Sequence, residues 1–162
     1  MKVYHTLKPI YNKNSKILIL GSMPSVISRN KNFYYANKNN RFWNIMGNLF
    51  LTKFNSNLEK RGFLLDNKIA LWDVIKSCEI KGSSDNSIKN VNINDINYLL
   101  NKSNIKYIFV TGKKALYLYN KYLLNITKKE AFYLPSPSSA NASYNLKDLT
   151  EKYKIILDYL NL

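Results

Sequence analysis

The sequence predicts an α/β fold in which a mostly parallel sheet carries helices on both faces. Two observations carry this expectation. Short apolar runs at 16–20, 68–72, 106–111 and Ala131–Leu134 are rich in Ile, Val, Leu and aromatic residues and are followed by Gly, Asp or Pro. Strands buried on both faces read in this way. Between these runs apolar residues recur at helical spacing. Strands that alternate with helices join through right-handed crossovers into a parallel sheet.

The run 16–20 is the first expected strand, and Gly21-Ser22-Met23-Pro24-Ser25 is the turn after it. Gly21 permits an unusual backbone angle there and Pro24 fixes the next bend. Phe42, Trp43, Ile45, Met46, Leu49 and Phe50 share one helical face, so a helix is expected from near Arg41. The second strand follows at 68–72. Ile93, Ile96, Leu99 and Leu100 form the next stripe, ahead of the third strand at 106–111. Ala115, Leu116, Tyr119, Tyr122 and Leu123 form another, ahead of Ala131–Leu134. Leu146, Leu149, Tyr153, Ile156, Leu157 and Leu160 close the chain with a last stripe. Open parallel sheets bind ligands beyond the carboxyl ends of their strands. The segments 21–25, 73–78, 112–114 and 135–139 are therefore expected on one rim.

With 162 residues and no Pro/Gly/Ser linker, the whole chain, 1–162, reads as one domain. No apolar run is long enough to span a bilayer, and the N-terminal residues carry no apolar signal core. Cys78 is the only cysteine, and no Cys/His cluster suits a metal. An intracellular monomer without metal, cofactor or membrane association is expected. The formal net charge of +15 points to a polyanionic partner, most often nucleic acid. A surface of solvated lysines accounts for the same charge. Aromatic residues make up 14% of the chain and suit either stacking on bases or ordinary core packing.

Several segments carry candidate chemistry. Gly21–Ser25 offers backbone N–H groups to a base edge or a phosphate, or is a plain turn; it lacks the Gly-Lys-Ser/Thr ending of a phosphate loop. The stretch from Phe33 to Trp43 combines aromatics, amides and a cation. A base turned out of its helix needs a flat surface to stack on and amides to read its edge. Asn40 fits that use and equally fits an N-cap, and the two roles are compatible. Phe42 and Trp43 read as core. Pro135 and Pro137 stiffen the segment 134–141, whose small residues allow close backbone approach; Asn141 or Asn145 would cap the helix beyond. Gly112-Lys113-Lys114, at a helix start, suits an anion or is a solvated basic turn. Asp73 and Asp85 suit orienting water or lysine, or capping. The single histidine, His5, reads as peripheral.

At these residues the sequence resembles the uracil-DNA glycosylase superfamily, most closely its hypoxanthine-DNA (DNA-deoxyinosine) glycosylases. The matching segments are GSMPS (21–25), FYYANKNNRFW (33–43), ALWDVIKSC (70–78), GSSD (82–85), NDI (94–96), TGKKA (111–115) and LPSPSSANA (134–142), in the expected order. The resemblance implies a three-layer α/β/α sandwich around a four-stranded parallel sheet. It implies hydrolytic removal of a deaminated base from DNA, without strand cleavage, metal or redox cofactor. By position, Tyr35 would stack on the flipped base, the segment of Gly21, Ser22, Met23, Pro24 and Ser25 would form its pocket, and Asn40 would be the principal catalytic amide. Ser136, Pro137, Ser138, Ser139 and Asn141 would grip the DNA backbone or enter the gap left by the base, with Lys113 as a further DNA contact. Five positions depart from uracil-removing relatives. Met23 stands where many carry a water-managing Asp or Asn. Leu134 replaces a His that supports the departing base, Ser138 replaces a bulky wedge, and Asn37-Lys38 replaces His-Pro. The departures fit hypoxanthine better than uracil as the leaving group.

Overall fold

The computed structural model describes residues 1–162. The four expected strands form one parallel sheet: β2 (Ile17–Gly21), β3 (Ile69–Asp73), β6 (Tyr107–Thr111) and β7 (Ala131–Leu134), in the order β3-β2-β6-β7. All five β2 residues are buried, which explains why the strand reads as an unbroken apolar run.

Alternate side chains feed two cores. Ile17, Ile19, Ile69, Leu71 and Phe109 meet Phe42, Trp43, Ile45 and Met46 of α2 (Phe42–Phe50), Leu64 of α3 (Asn57–Asp66), and Leu149, Tyr153 and Ile156 of α7 (Leu146–Tyr153) and α8 (Ile155–Leu160). Leu18, Leu20, Ala70, Ile108 and Val110 meet Ile96 and Leu99 of α4 (Ile96–Asn101) and Ala115, Leu118 and Tyr119 of α5 (Lys113–Tyr122). The expected three layers result. Short helices α1 (Val26–Lys31) and α6 (Leu124–Thr127) complete the set.

Three features differ from the sequence expectation. Residues 75–79 are not a rim loop. They form β4 (Ile75–Glu79), which pairs antiparallel with β1 (Lys2–Tyr4) and β5 (Lys89–Ile93) in a second, three-stranded sheet. Ile93 lies in β5 rather than on the α4 stripe. The closing stripe is two helices, because Lys154 and Leu157 donate their N–H groups three residues back, to Glu151 and Lys154, and tighten the chain there.

The register positions the site. Gly21 pairs with Asp73, Leu20 with Val110, and Thr111 with Leu134. The carboxyl ends of the four parallel strands therefore lie side by side on one rim.

Candidate active site

The floor of the site is set by Gly21. A Cβ there would lie 2.5 Å from Asp73 Oδ1 and 3.6 Å from both Thr111 Oγ1 and the Tyr35 hydroxyl. Glycine is needed for space, not for an unusual angle: Gly112 (φ +90°), not Gly21, adopts a positive φ on this rim. Above the floor is a cavity of about 170 Å³, lined by Gly21, Ser22, Met23, Pro24, Ser25, Tyr35, Asn40, Ser136, Pro137, Ser138 and Ser139. One water needs about 10–15 Å³ of such space, so the cavity is far larger than a single water site and can admit a small planar group. Two expected residues do not line it. Lys113 is exposed at the first position of α5. Asn141 lies behind the wall, where its amide nitrogen donates to Ser136 O at 3.1 Å; Asn145, not Asn141, caps α7.

Ser25 caps α1 by accepting the Ser28 N–H at 3.1 Å, and Arg29 donates to Pro24 O at 2.9 Å, so the turn is held from its far side. The N–H groups of Ser22 and Met23 have no acceptor within the protein. Both residues line the cavity.

Tyr35 sits in the left-handed region (φ +52°), a conformation that a bulky residue keeps only when its surroundings fix it. Its neighbours do so. Tyr34 O accepts the Trp43 indole N–H at 3.0 Å, the Tyr34 hydroxyl donates to Lys8 O at 2.7 Å, and the Ala36 N–H donates to buried Ser28 Oγ at 3.1 Å. Phe42 backs the Tyr35 ring at 4.0 Å between centroids and 18° between planes. Burial first, and the charge of Asp73 second, push the Tyr35 hydroxyl up from the usual tyrosine range.

Two amides repeat one local motif. Asn37 Oδ1 accepts the Asn39 N–H at 2.9 Å, and Asn40 Oδ1 accepts the Phe42 N–H at 2.9 Å. Each oxygen is held by the backbone two residues on, and these contacts fix which end of each amide is oxygen. The NH₂ groups of both residues have no partner in the protein, and both residues line the cavity. Asn37 did not stand out in the sequence as a site residue.

Arg41 holds the opposite wall. Its backbone N–H donates to Pro137 O at 3.0 Å; its guanidinium donates to Pro137 O (3.3 Å), Ser138 O (2.7 Å), Asn141 O (3.0 Å) and Tyr144 O. One side chain thereby gathers four carbonyls of a loop nearly a hundred residues away. Ser136 also packs on Gly112, where a Cβ would lie 3.3 Å from the Ser136 Cβ.

His5, expected at the periphery, is enclosed. Its side chain is 1% exposed and its Nε2 lies 2.7 Å from Asp73 Oδ2. Asp73 and Asp85 are not caps but members of the cavity lining. Ser22 Oγ donates to Asp85 Oδ1 at 2.8 Å. Burial pushes the Asp85 carboxyl up from the usual range, the Ser22 hydroxyl and Lys114 draw it down, and Asp73 adds to the rise.

Almost all of the basic side chains make no ion pair. Of 25 Lys and Arg side chains only Lys154 forms an ion pair, with Glu151 at 2.7 Å. No three His, Cys, Asp or Glu side chains are grouped to hold a metal ion, and no helix is long and apolar enough to cross a membrane.

Fold and cavity define a three-layer α/β protein with a polar pocket at the carboxyl rim of its parallel sheet. Residues 8–160 match the model of the Uracil DNA glycosylase superfamily. The chain is 37% identical over 110 residues to a hypoxanthine DNA glycosylase of Methanosarcina barkeri, covering 66% of this chain and 70% of the relative. It is 34% identical over 145 residues to a hypoxanthine DNA glycosylase of Methanosarcina acetivorans, covering 84% and 87%. A solution NMR structure from Methanosarcina acetivorans, whose proposed assignment is uracil DNA glycosylase, superposes with a TM-score of 0.84 at 32% identity over 100% of both chains. This chain belongs to the uracil DNA glycosylase superfamily, a family of DNA glycosylases.

Proposed function

We propose that this chain removes hypoxanthine from deoxyinosine in DNA by hydrolysing the N-glycosidic bond, leaving an abasic site. The observation that carries this reading is the pair of amides, Asn37 and Asn40, whose oxygens are held by backbone while their NH₂ groups remain free at the cavity. As the bond breaks, the base takes on negative charge and the sugar becomes oxocarbenium-like. Donors already in place stabilise that charge without reorganising. Asn40 Nδ2 is the principal such donor, and the N–H groups of Ser22 and Met23 supplement it. Tyr35, braced by Phe42, stacks on the flipped base within the pocket of the Gly21–Ser25 turn. Ser136 to Ser139 touch the DNA backbone beside the vacated position, Lys113 adds a phosphate contact, and Asn141 acts by holding that loop.

The attacking group is water. The enzyme works as an intracellular monomer and a single domain, and it uses neither metal nor cofactor. Duplexes carrying one inosine, uracil, xanthine or ethenoadenine, incubated with the protein in chelator and then cleaved with alkali, test the reading. Breakage at inosine ahead of the other lesions is expected. Preferential release of uracil would move the enzyme to another specificity within the family. No release from any duplex, or activity that returns only with added metal, would overturn the mechanism.

A further inference from the structure

The opposite rim of the parallel sheet, at the amino ends of its strands, carries a row of like charges. Lys16, Lys68 and Lys106 stand immediately before β2, β3 and β6. Lys16 donates its backbone N–H to Lys68 O at 2.8 Å, and Lys106 donates its own to Lys16 O at 2.8 Å. The three lysines therefore sit side by side on neighbouring strands, which lie about 4.8 Å apart. Like charges so placed repel one another.

Their side chains line one cleft of about 420 Å³, completed by Asn14 and Asn104. No acidic and no apolar residue lines it. None of the three lysines makes an ion pair, not even Lys68 with Asp66 two residues away. Lys16 Nζ donates to Leu160 O, at the end of α8, at 3.1 Å, which holds that ammonium in place. Lys68 also adopts φ +62°, in the left-handed region where Gly or Asn would sit at less cost. Charge repulsion and backbone cost thus coincide at one concave spot. An anion with several oxygens would relieve the repulsion and accept from ammonium and amide groups together.

Along β2 the row lies about 16 Å from Gly21, at roughly 3.3 Å per residue, and at the other end of the sheet from the cavity. DNA is stiff over about 150 base pairs, so a duplex seated at the carboxyl rim does not fold back to the amino rim. We propose that the lysine row is a second phosphate site, and that its ligand is the backbone of another DNA segment, held while the carboxyl rim still holds the first. The protein then passes from segment to segment without release into solution. This rests on the reading above only in that the carboxyl rim binds DNA; it does not depend on which base is removed.

The test follows a fluorescent inosine duplex leaving the protein as unlabelled, undamaged duplex is added at rising concentration and constant ionic strength. Simple release gives a rate that ignores the competitor, whereas handover through a complex of two duplexes gives a rate that rises with it. The wild-type rate is expected to rise. The double variant Lys68→Asn, Lys106→Gln removes two phosphate contacts and should weaken this competitor effect by about tenfold or more. Its single-turnover release of hypoxanthine should be unchanged, and its melting temperature should equal or exceed that of the wild type, because repulsion is relieved. Lys106→Arg, which keeps the charge, should keep the rise. A flat wild-type rate overturns the proposal. If inorganic tripolyphosphate then raises the melting temperature of the wild type and not of the double variant, the ligand is a free phosphate compound instead. An equal rise in the double variant overturns the assignment to this row. Handover without release of hypoxanthine would fail the proposed function and leave the second site standing; release without handover would do the reverse.

Discussion

The side-chain oxygen of Asn40 accepts the N–H of Phe42, the first residue of α2, at 2.9 Å, and this leaves the Asn40 NH₂ without a partner at the cavity. Arg41, not Asn40, is the N-cap of α2; Asn40 instead closes the turn before it, and that turn and the chemistry use opposite ends of one amide. Asn40→Asp keeps an oxygen for the Phe42 N–H and loses the donor. The fold should persist, since an Asp oxygen accepts the same N–H two residues on, while single-turnover excision should fall by about 10²–10³. Asn40→Ala loses both ends and, with the hydrogen bond to Phe42, should also lose ~1 kcal/mol of stability. Near-normal excision by Asn40→Asp at an unchanged melting temperature would remove the amide from the mechanism.

Arg41 predicts a different pattern. Its fork bonds four carbonyls between Pro137 and Tyr144. A lysine carries the charge without the planar fork. Hydrogen bonds to charged groups contribute about 1.5–3 kcal/mol each, and Lys retains part of that set, so Arg41→Lys should lower stability by roughly 2 kcal/mol. The 136–144 loop should loosen with it, seen as faster amide exchange at Asn141 and Ser138. Weakened lesion binding should accompany this loosening. Unchanged exchange in the loop would show that Pro135 and Pro137 alone define it.

These two residues also show what the sequence made legible. The parallel strands were readable because burial on both faces removes every polar residue from Ile17 to Leu20. The rim followed from strand direction, and most expected pocket residues line one cavity. The second sheet was not readable: β5 is exposed or half-buried throughout, with Asn90 in the left-handed region, and Lys76 breaks the apolar pattern of β4. His5 was misread because its partner lies 68 positions away. The role of Arg41 was hidden because its acceptors are backbone carbonyls, which any residue type supplies.

Buried tyrosines predict alkaline instability. Burial is the leading cause that pushes the hydroxyls of Tyr34, Tyr35, Tyr119 and Tyr153 above the ordinary value of 10.0. Above about pH 10 the unfolded chain loses these protons while the folded chain keeps them, so the folded state binds more protons and stability falls as pH rises. Their contribution is fully present below pH 10 and declines above it, by about 1.4 kcal/mol per pH unit for each tyrosine that stays protonated. Urea midpoints at pH 8, 9, 10 and 11 should be level at first and then drop, less steeply in Tyr35→Phe. A midpoint unchanged between pH 9 and 11 would contradict the burial of these hydroxyls.

The free cations set the salt dependence. With a net charge of +15 and Lys154 alone among the lysines and arginines in an ion pair, few internal carboxylates compete with phosphate for the basic side chains. Each phosphate neutralised on duplex DNA releases counterions and contributes a slope of about −0.9 to log affinity against log salt. Contact with about five phosphates would weaken binding roughly 500-fold between 50 and 200 mM salt. Lys113→Gln, at the exposed start of α5 beside the cavity rim, should make the slope shallower by about one unit and weaken inosine and undamaged duplexes equally, because a phosphate contact carries no base information. Fluorescence anisotropy across the salt series measures both quantities. A slope that Lys113→Gln leaves unchanged would place Lys113 off the DNA path, and a flat dependence in the wild-type protein would mean that its positive surface does not meet DNA.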